Sequence, residues 1–200
     1  MLLLGRFILG LALAVLEELG SSPDPEQVRR VVEAGLQRLE GTGVDFIAMP
    51  CNSAHAYYSS LAACIRVPLL NMIAEGVAAL QAFDRIAICA TPTTIASGLY
   101  QQGIAAAGKE CVPADGMQTM VNEVIAGIIA GSDRSRLRAL WSDIIDFAVR
   151  QGADAVLVAC TELSALGSLE DERISIADAT VALAQATVRK YLEGSAKPGA

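Results

Sequence analysis

Two ten-residue stretches limit what this chain can fold into. GVDFIAMPCN (residues 43–52) and GADAVLVACT (residues 152–161) share one plan: glycine, aspartate two places on, an apolar run, cysteine at the ninth place, then a small amide or hydroxyl residue. The apolar runs do not alternate with polar residues. Runs of this kind are strands buried on both faces, as in parallel sheets covered by helices.

The rest of the chain supplies those helices. PDPEQVRRVVEAGLQRLEGTG reads as a helix with Asp24 as N-cap, Pro25 at the first helical position, Gln27 placed to close a capping box, and Gly41 and Gly43 ending it. Apolar strands are predicted over residues 44–50, 67–72, 85–91, 109–114, 153–160 and 173–178. Helices are predicted over 52–65, 73–83, 93–108, 117–131, 135–152 and 179–194, with a short helical turn over 162–166. This alternation specifies an α/β fold. The repeated segment divides it into two similar halves with largely parallel sheets flanked by helices, residues 1–95 with 179–200 and residues 96–178. In such sheets a ligand sits beyond the carboxyl ends of the strands. Cys51, Thr91, Cys160 and Asp178 all fall there.

Composition narrows the function classes. Net charge is −7, and the one basic cluster is Arg134, Arg136 and Arg138, so nucleic acid is not an expected partner. Hydrophobic residues make up 53% of 200 and mean hydropathy is +0.44, which points to extensive buried strand or a subunit interface. The opening stretch MLLLGRFILGLALAVLEELG carries Arg6, Glu17 and Glu18, too interrupted for a spanning helix, and shows no clear cleavage site. No membrane association is expected. Five cysteines without a C-x-x-C pair indicate free thiols in a reducing, cytoplasmic setting. A single histidine, His55, excludes a histidine-built zinc site, and no metal is expected.

Cys64, Cys89 and Cys111 sit within predicted elements and read as core packing. Cys51 and Cys160 differ by standing at matched strand ends, each before a capping residue. Core packing and chemistry both remain open for them on spacing alone. A thiol at the start of a helix feels the positive end of the helix dipole, which favours thiolate. Asn52 and Thr161 are good N-caps, and such helix starts also hold carboxylates. Two such units facing each other would place one thiol on each side of a small acid. One thiolate removes a proton from carbon and one thiol returns a proton to the opposite face, which is racemisation or epimerisation.

At these residues the chain resembles a known family. PCNSAH (50–55) resembles the P-C-N-T-A-H motif of the aspartate/glutamate racemase superfamily, VACTEL (158–163) its G-C-T-E motif, and ICATPTTIASGLYQQGIAAAG its A-T-x-G-T segment. The resemblance covers roughly residues 25–190 and implies two α/β halves with the site between them. It implies Cys51 and Cys160 as catalytic acid/base groups, with Asn52, Ser53, Thr91, Thr94, Thr161 and Glu162 around the substrate. No cofactor is implied, and no lysine among Lys109, Lys190 and Lys197 stands at a motif where pyridoxal phosphate could be held. An acidic amino acid, aspartate first, is the implied substrate, since Glu162 stands where glutamate racemases tend to carry His. A homodimer is the family habit. His55 matches a family histidine, for which helix packing and a site role are both open.

Departures are Ser53 for Thr, Thr93 for Gly, Ala159 for Gly, and no counterpart of the family's N-terminal strand with its Gly-Gly-Met loop. Arg6 is the one candidate from the opening stretch for a carboxylate-binding cation. The alternatives are another superfamily isomerase (hydantoin racemase or maleate isomerase-like) or an inactive truncated paralogue that only binds small acids.

Overall fold

The computed structural model describes residues 24–167 and 169–195. The opening stretch with Arg6, the expected lack of a first strand, and the tail from residue 196 lie outside the described residues. The protein is α/β with parallel sheets flanked by helices, as the alternation requires. Of the described residues, those up to Met72 with those from Leu183 form one compact unit, and Ile73–Ala182 forms the other.

In the first unit, α1 (Pro25–Glu40) leads to β1 (Ile47–Ala48), then to a single 3-10 turn (Ser53–Tyr57), α2 (Tyr58–Ala63) and β2 (Leu69–Leu70). Asp24 caps α1 by accepting the Glu26 amide at 3.2 Å, with Pro25 at the first position. The Asp24 and Pro25 expectations hold, although the amide bound is Glu26's. β1 and β2 pair in parallel, Ile47 with Leu69 and Ala48 with Leu70. The predicted strands over 44–50 and 67–72 are each cut to two residues. Prolines at 50 and 68 explain part of this, since proline has no N–H for a ladder. Pro68 contributes its carbonyl, which accepts the Ile47 amide at 2.8 Å. Val32, Leu36, Ile47, Met49, Leu61 and Leu69 form this unit's core.

The second unit opens with α3 (Met72–Ala78), whose first residue belongs to the first unit, followed by β3 (Arg85–Ala90), α4 (Pro92–Ser97), α5 (Leu99–Ala106) and β4 (Glu110–Cys111). It continues through α6 (Met117–Ile129), α7 (Arg134–Arg150), β5 (Ala155–Ala159), α8 (Thr161–Leu166) and β6 (Ser175–Asp178), and α9 (Ala179–Ser195) crosses the division. The strand order is β4-β3-β5-β6, all parallel. The two central strands are buried along nearly their whole length, as their unbroken apolar runs predict. The sequence boundaries at 95/96 and 178/179 both fall inside this unit. The boundary at 95/96 separates β3 from β4 and β5, to which it is hydrogen-bonded, whereas β5 and β6 stay on one side of 178/179.

The repeat now has a structural meaning. Gly43 and Gly152 both take positive φ, 77° and 76°, just after a helix. That is the left-handed position which ends a helix and turns the chain into the following strand, and glycine occupies it without steric cost. Asp154 then accepts the Asp84 amide at 2.9 Å and the Arg85 amide at 3.0 Å, which aligns the starts of β3 and β5. In both copies the cysteine follows this glycine by eight residues, Cys51 after Gly43 and Cys160 after Gly152.

The helical layer over β3 and β5 packs around Trp141, Ile144, Ile145, Val121, Val124 and Leu137, with the Trp141 indole N–H donating to the Leu169 carbonyl at 3.2 Å. Close approach of α6 and α7 depends on Gly127, where an added methyl would collide with the buried Leu137 side chain. Gly127→Ala is expected to lower stability by about 1 kcal/mol in urea unfolding, because overpacking outweighs the gain in helix propensity.

Candidate active site

Cys51 follows β1 through a tight turn in which its amide donates to the Met49 carbonyl at 2.9 Å. It is half-buried and packs against the first unit's core. Asn52 is buried and Ser53 half-buried at the start of the 3-10 turn. The expected single helix over 52–65 is therefore a 3-10 turn followed by a six-residue α-helix. Asn52 holds αR dihedrals and makes no side-chain cap, so its expected capping role is corrected. The Cys51 carbonyl is engaged by the His55 ring, at 2.8 Å from Nδ1.

His55 is 1% exposed. The Met72 amide donates to its Nε2 at 3.0 Å, so the neutral ring carries its proton on Nδ1 and donates it to Cys51. Burial lowers the His55 pKa, outweighing the Cys51 and Leu70 carbonyls, which would favour a second proton. The ring also stacks on Tyr58, centroids 5.7 Å apart. A histidine whose folded pKa lies below its unfolded value takes up its proton more readily when unfolded, so stability rises with pH across that interval. The protein is expected to lose stability as pH falls below about 6.5, and His55→Gln to flatten that dependence, as read by urea midpoints between pH 5 and 8.

Cys160 directly follows β5 and is 2% exposed. It is itself the N-cap of α8, with extended dihedrals, and Thr161 is the first helical residue. The expectation that Thr161 caps the helix is thus corrected by one position. The Cys160 thiol donates to Glu162 Oε2 at 3.0 Å, and the Thr161 hydroxyl donates to the same oxygen at 3.1 Å. Burial first, and then the Glu162 carboxylate, push the Cys160 thiol up to about 12. The expected thiolate is therefore a thiol here. The amides at the start of α8 act in the opposite direction but are outweighed.

Behind Cys160, the Ser164 hydroxyl lies 2.9 Å from Asp178 Oδ1, 3.0 Å from the Thr180 hydroxyl and 3.3 Å from the Cys160 carbonyl. Asp178 also accepts the Thr180 amide at 2.7 Å. This network ties α8 to the end of β6. Only the strand-end position of Asp178 is visible in sequence; Ser164 lies within a short helical segment and carries no such signal.

Thr91 is the N-cap of α4 and accepts the Thr94 amide at 3.2 Å, with the two hydroxyls 3.0 Å apart. Thr94 is buried, whereas Thr93 faces out. In the second unit Thr91 and Cys160 directly follow the paired strand ends Ala90 and Ala159, so the structure brings Thr91, Thr161 and Glu162 to the same sheet edge as Cys160. Cys51, Asn52 and Ser53 stand together at the corresponding edge of the first unit. Cys89 is fully buried in the core, as expected, and Cys64 and Cys111 are half-buried. Lys109 is held by the Gln81 and Phe83 carbonyls. Among the described residues, no group of three or more His, Cys, Asp or Glu side chains is placed to hold a metal, and no helix is long and apolar enough to cross a membrane.

Comparison with known proteins identifies the family. The family model described as Asp/Glu/Hydantoin racemase matches residues 14–187. The broad specificity amino-acid racemase RacX of Bacillus subtilis (strain 168) is 34% identical over 170 residues, covering 84% of this chain and 74% of that protein. The aspartate racemase of Picrophilus torridus superposes with a TM-score of 0.73 at 25% identity, covering 88% of this chain and 74% of that one. An aspartate racemase homologue from Pyrococcus horikoshii OT3 gives a TM-score of 0.70 at 20% identity, over 90% and 80% of the two chains, a likeness of fold. With a family match over most of its length and a curated relative at this identity, the chain belongs to the Asp/Glu/Hydantoin racemase family.

Proposed function

We infer that this protein is a cofactor-independent amino-acid racemase that moves protons with Cys51 and Cys160, one at each face of the substrate α-carbon. The observation that carries the reading is the Cys160–Glu162 pair, a buried thiol whose proton already points at a carboxylate. When Cys160 acts as acid it gives that proton to carbon. When it acts as base, Glu162 is the group that can first receive the proton and free the thiolate. Cys51 supplies the matching half of the reaction from a turn anchored by its own carbonyl. Asn52, Ser53, Thr91, Thr94 and Thr161 are the polar groups at the two strand ends suited to hold an amino acid's carboxylate and ammonium.

An acidic amino acid is the favoured substrate, aspartate before glutamate. Support comes from the Picrophilus torridus aspartate racemase likeness and from C-T-E at 160–162. A wider range is the second reading, because the Bacillus subtilis relative is described as broad in specificity. Incubation with L-aspartate, L-glutamate and a panel of neutral and basic L-amino acids, followed by chiral chromatography, separates the two. D-aspartate appearing fastest supports the first, equal rates across the panel support the second, and no D-product from any of them contradicts both.

A further inference from the structure

We propose that His55 is a positioning residue for Cys51, locking the turn that presents the thiol by bridging two backbone segments with one imidazole. The proposal rests on the reading of Cys51 as an acid/base group. The ladder between β1 and β2 comprises two residue pairs and its last, Ala48 with Leu70, lies three residues before Cys51. The imidazole continues the connection where the ladder stops. Nδ1–H reaches the Cys51 carbonyl at 2.8 Å on one side, and Nε2 receives the Met72 amide at 3.0 Å on the other, just past β2.

The ring is held in place as well as bonded. It is buried, it stacks on Tyr58 at an interplanar angle of 8°, and the Tyr58 hydroxyl donates to the Leu69 carbonyl at 2.8 Å. Two bonds on opposite edges of a rigid ring fix both the tautomer and the spacing of the two segments. An asparagine side chain can supply the donor near Nδ1, and a glutamine side chain the acceptor near Nε2, but neither supplies both. His55 touches no reacting atom in this role. It acts by setting the backbone from which Cys51 projects.

The chain holds one histidine, so its imidazole 15N signals need no assignment. The expected spectrum is that of the neutral tautomer protonated at Nδ1. His55→Phe, which keeps the ring shape and removes both bonds, is expected to lower kcat for racemisation about 10–100-fold with little change in KM, since a misplaced catalytic group costs rate on this scale. His55→Asn is expected to recover part of that loss. Alkylation of Cys51 by iodoacetamide, followed by peptide mass spectrometry, is expected to change several-fold in His55→Phe and to move back toward the wild-type rate in His55→Asn.

An imidazole protonated at Nε2, or a folded His55→Phe protein with wild-type Cys51 alkylation and wild-type kcat, overturns the proposal. Circular dichroism reports whether each variant folds. If His55→Phe does not, His55→Asn compared with His55→Gln decides by the same readings, Asn being expected to lie nearer the wild type. If the wild-type protein racemises no amino acid, the functional reading fails, and the tautomer and alkylation results still decide the role of His55.

Discussion

Conversion of Cys160 to serine is expected to lower kcat/KM for racemisation by about 10²–10⁴-fold, and Cys51→Ser by a similar factor. A serine hydroxyl is a far weaker acid than a thiol, so neither variant can cycle between proton donor and base near neutral pH. The two enantiomers have equal free energy, and the loss in kcat/KM must therefore be the same from either hand. Each single variant retains one thiol. It can at most exchange the α-proton of one enantiomer without inverting it, which chiral chromatography and 1H NMR in deuterated water distinguish. Serine is nearly isosteric with cysteine, so folding is expected to survive at both positions. Full racemisation by either variant would remove that cysteine from the mechanism.

The second large effect is expected at Glu162. Its carboxylate accepts the Cys160 thiol proton at 3.0 Å and helps to hold that thiol at about 12. Glu162→Gln removes the charge and leaves an amide of nearly the same shape. The Cys160 titration is expected to move down toward the ordinary thiol range of about 8.5, stopping short of it because burial is the larger cause. The rate of Cys160 alkylation against pH reads that movement. Racemisation is expected to fall by about 10², because the group that takes the proton when Cys160 works as base is gone. Lower pKa with lower rate is the diagnostic combination. Were Glu162 only a packing residue, the titration would stay near 12. Were its charge only an obstacle to thiolate, the variant would be faster than wild type.

Much of this was legible in the residues. The unbroken apolar runs at 85–90 and 155–159 specify strands buried on both faces, and the Asp24-Pro25 pair marks the start of α1. The repeat placed both cysteines at strand ends, where Cys51 and Cys160 stand. What local pattern could not carry was set by tertiary partners. β1 and β2 shrink to two pairs because each can pair only where the other presents a matching backbone group. The helix expected over 93–108 breaks at Gly98, which occurs at the centre of an otherwise helical pattern.

The protonation state of Cys160 illustrates the limit most clearly. Its position before a helix favours thiolate by dipole alone, while burial and a carboxylate two residues away in sequence favour thiol. Only the folded geometry shows that the second pair of effects wins. His55 was likewise visible as a residue but not as a bridge, because its second partner, Met72, lies 17 positions away.

Proton transfer by two separate acid/base groups on opposite faces of one carbon leaves its trace in the product. The fate of the α-proton tests it most directly. L-aspartate is incubated with the protein in deuterated water and sampled before a few per cent has reacted, and deuterium is then measured separately in the residual L- and newly formed D-enantiomers. D-aspartate is expected to carry solvent deuterium at the α-carbon while the remaining L-aspartate is still protiated. D-aspartate that keeps the original proton, or label entering both enantiomers equally from the first samples, would contradict it.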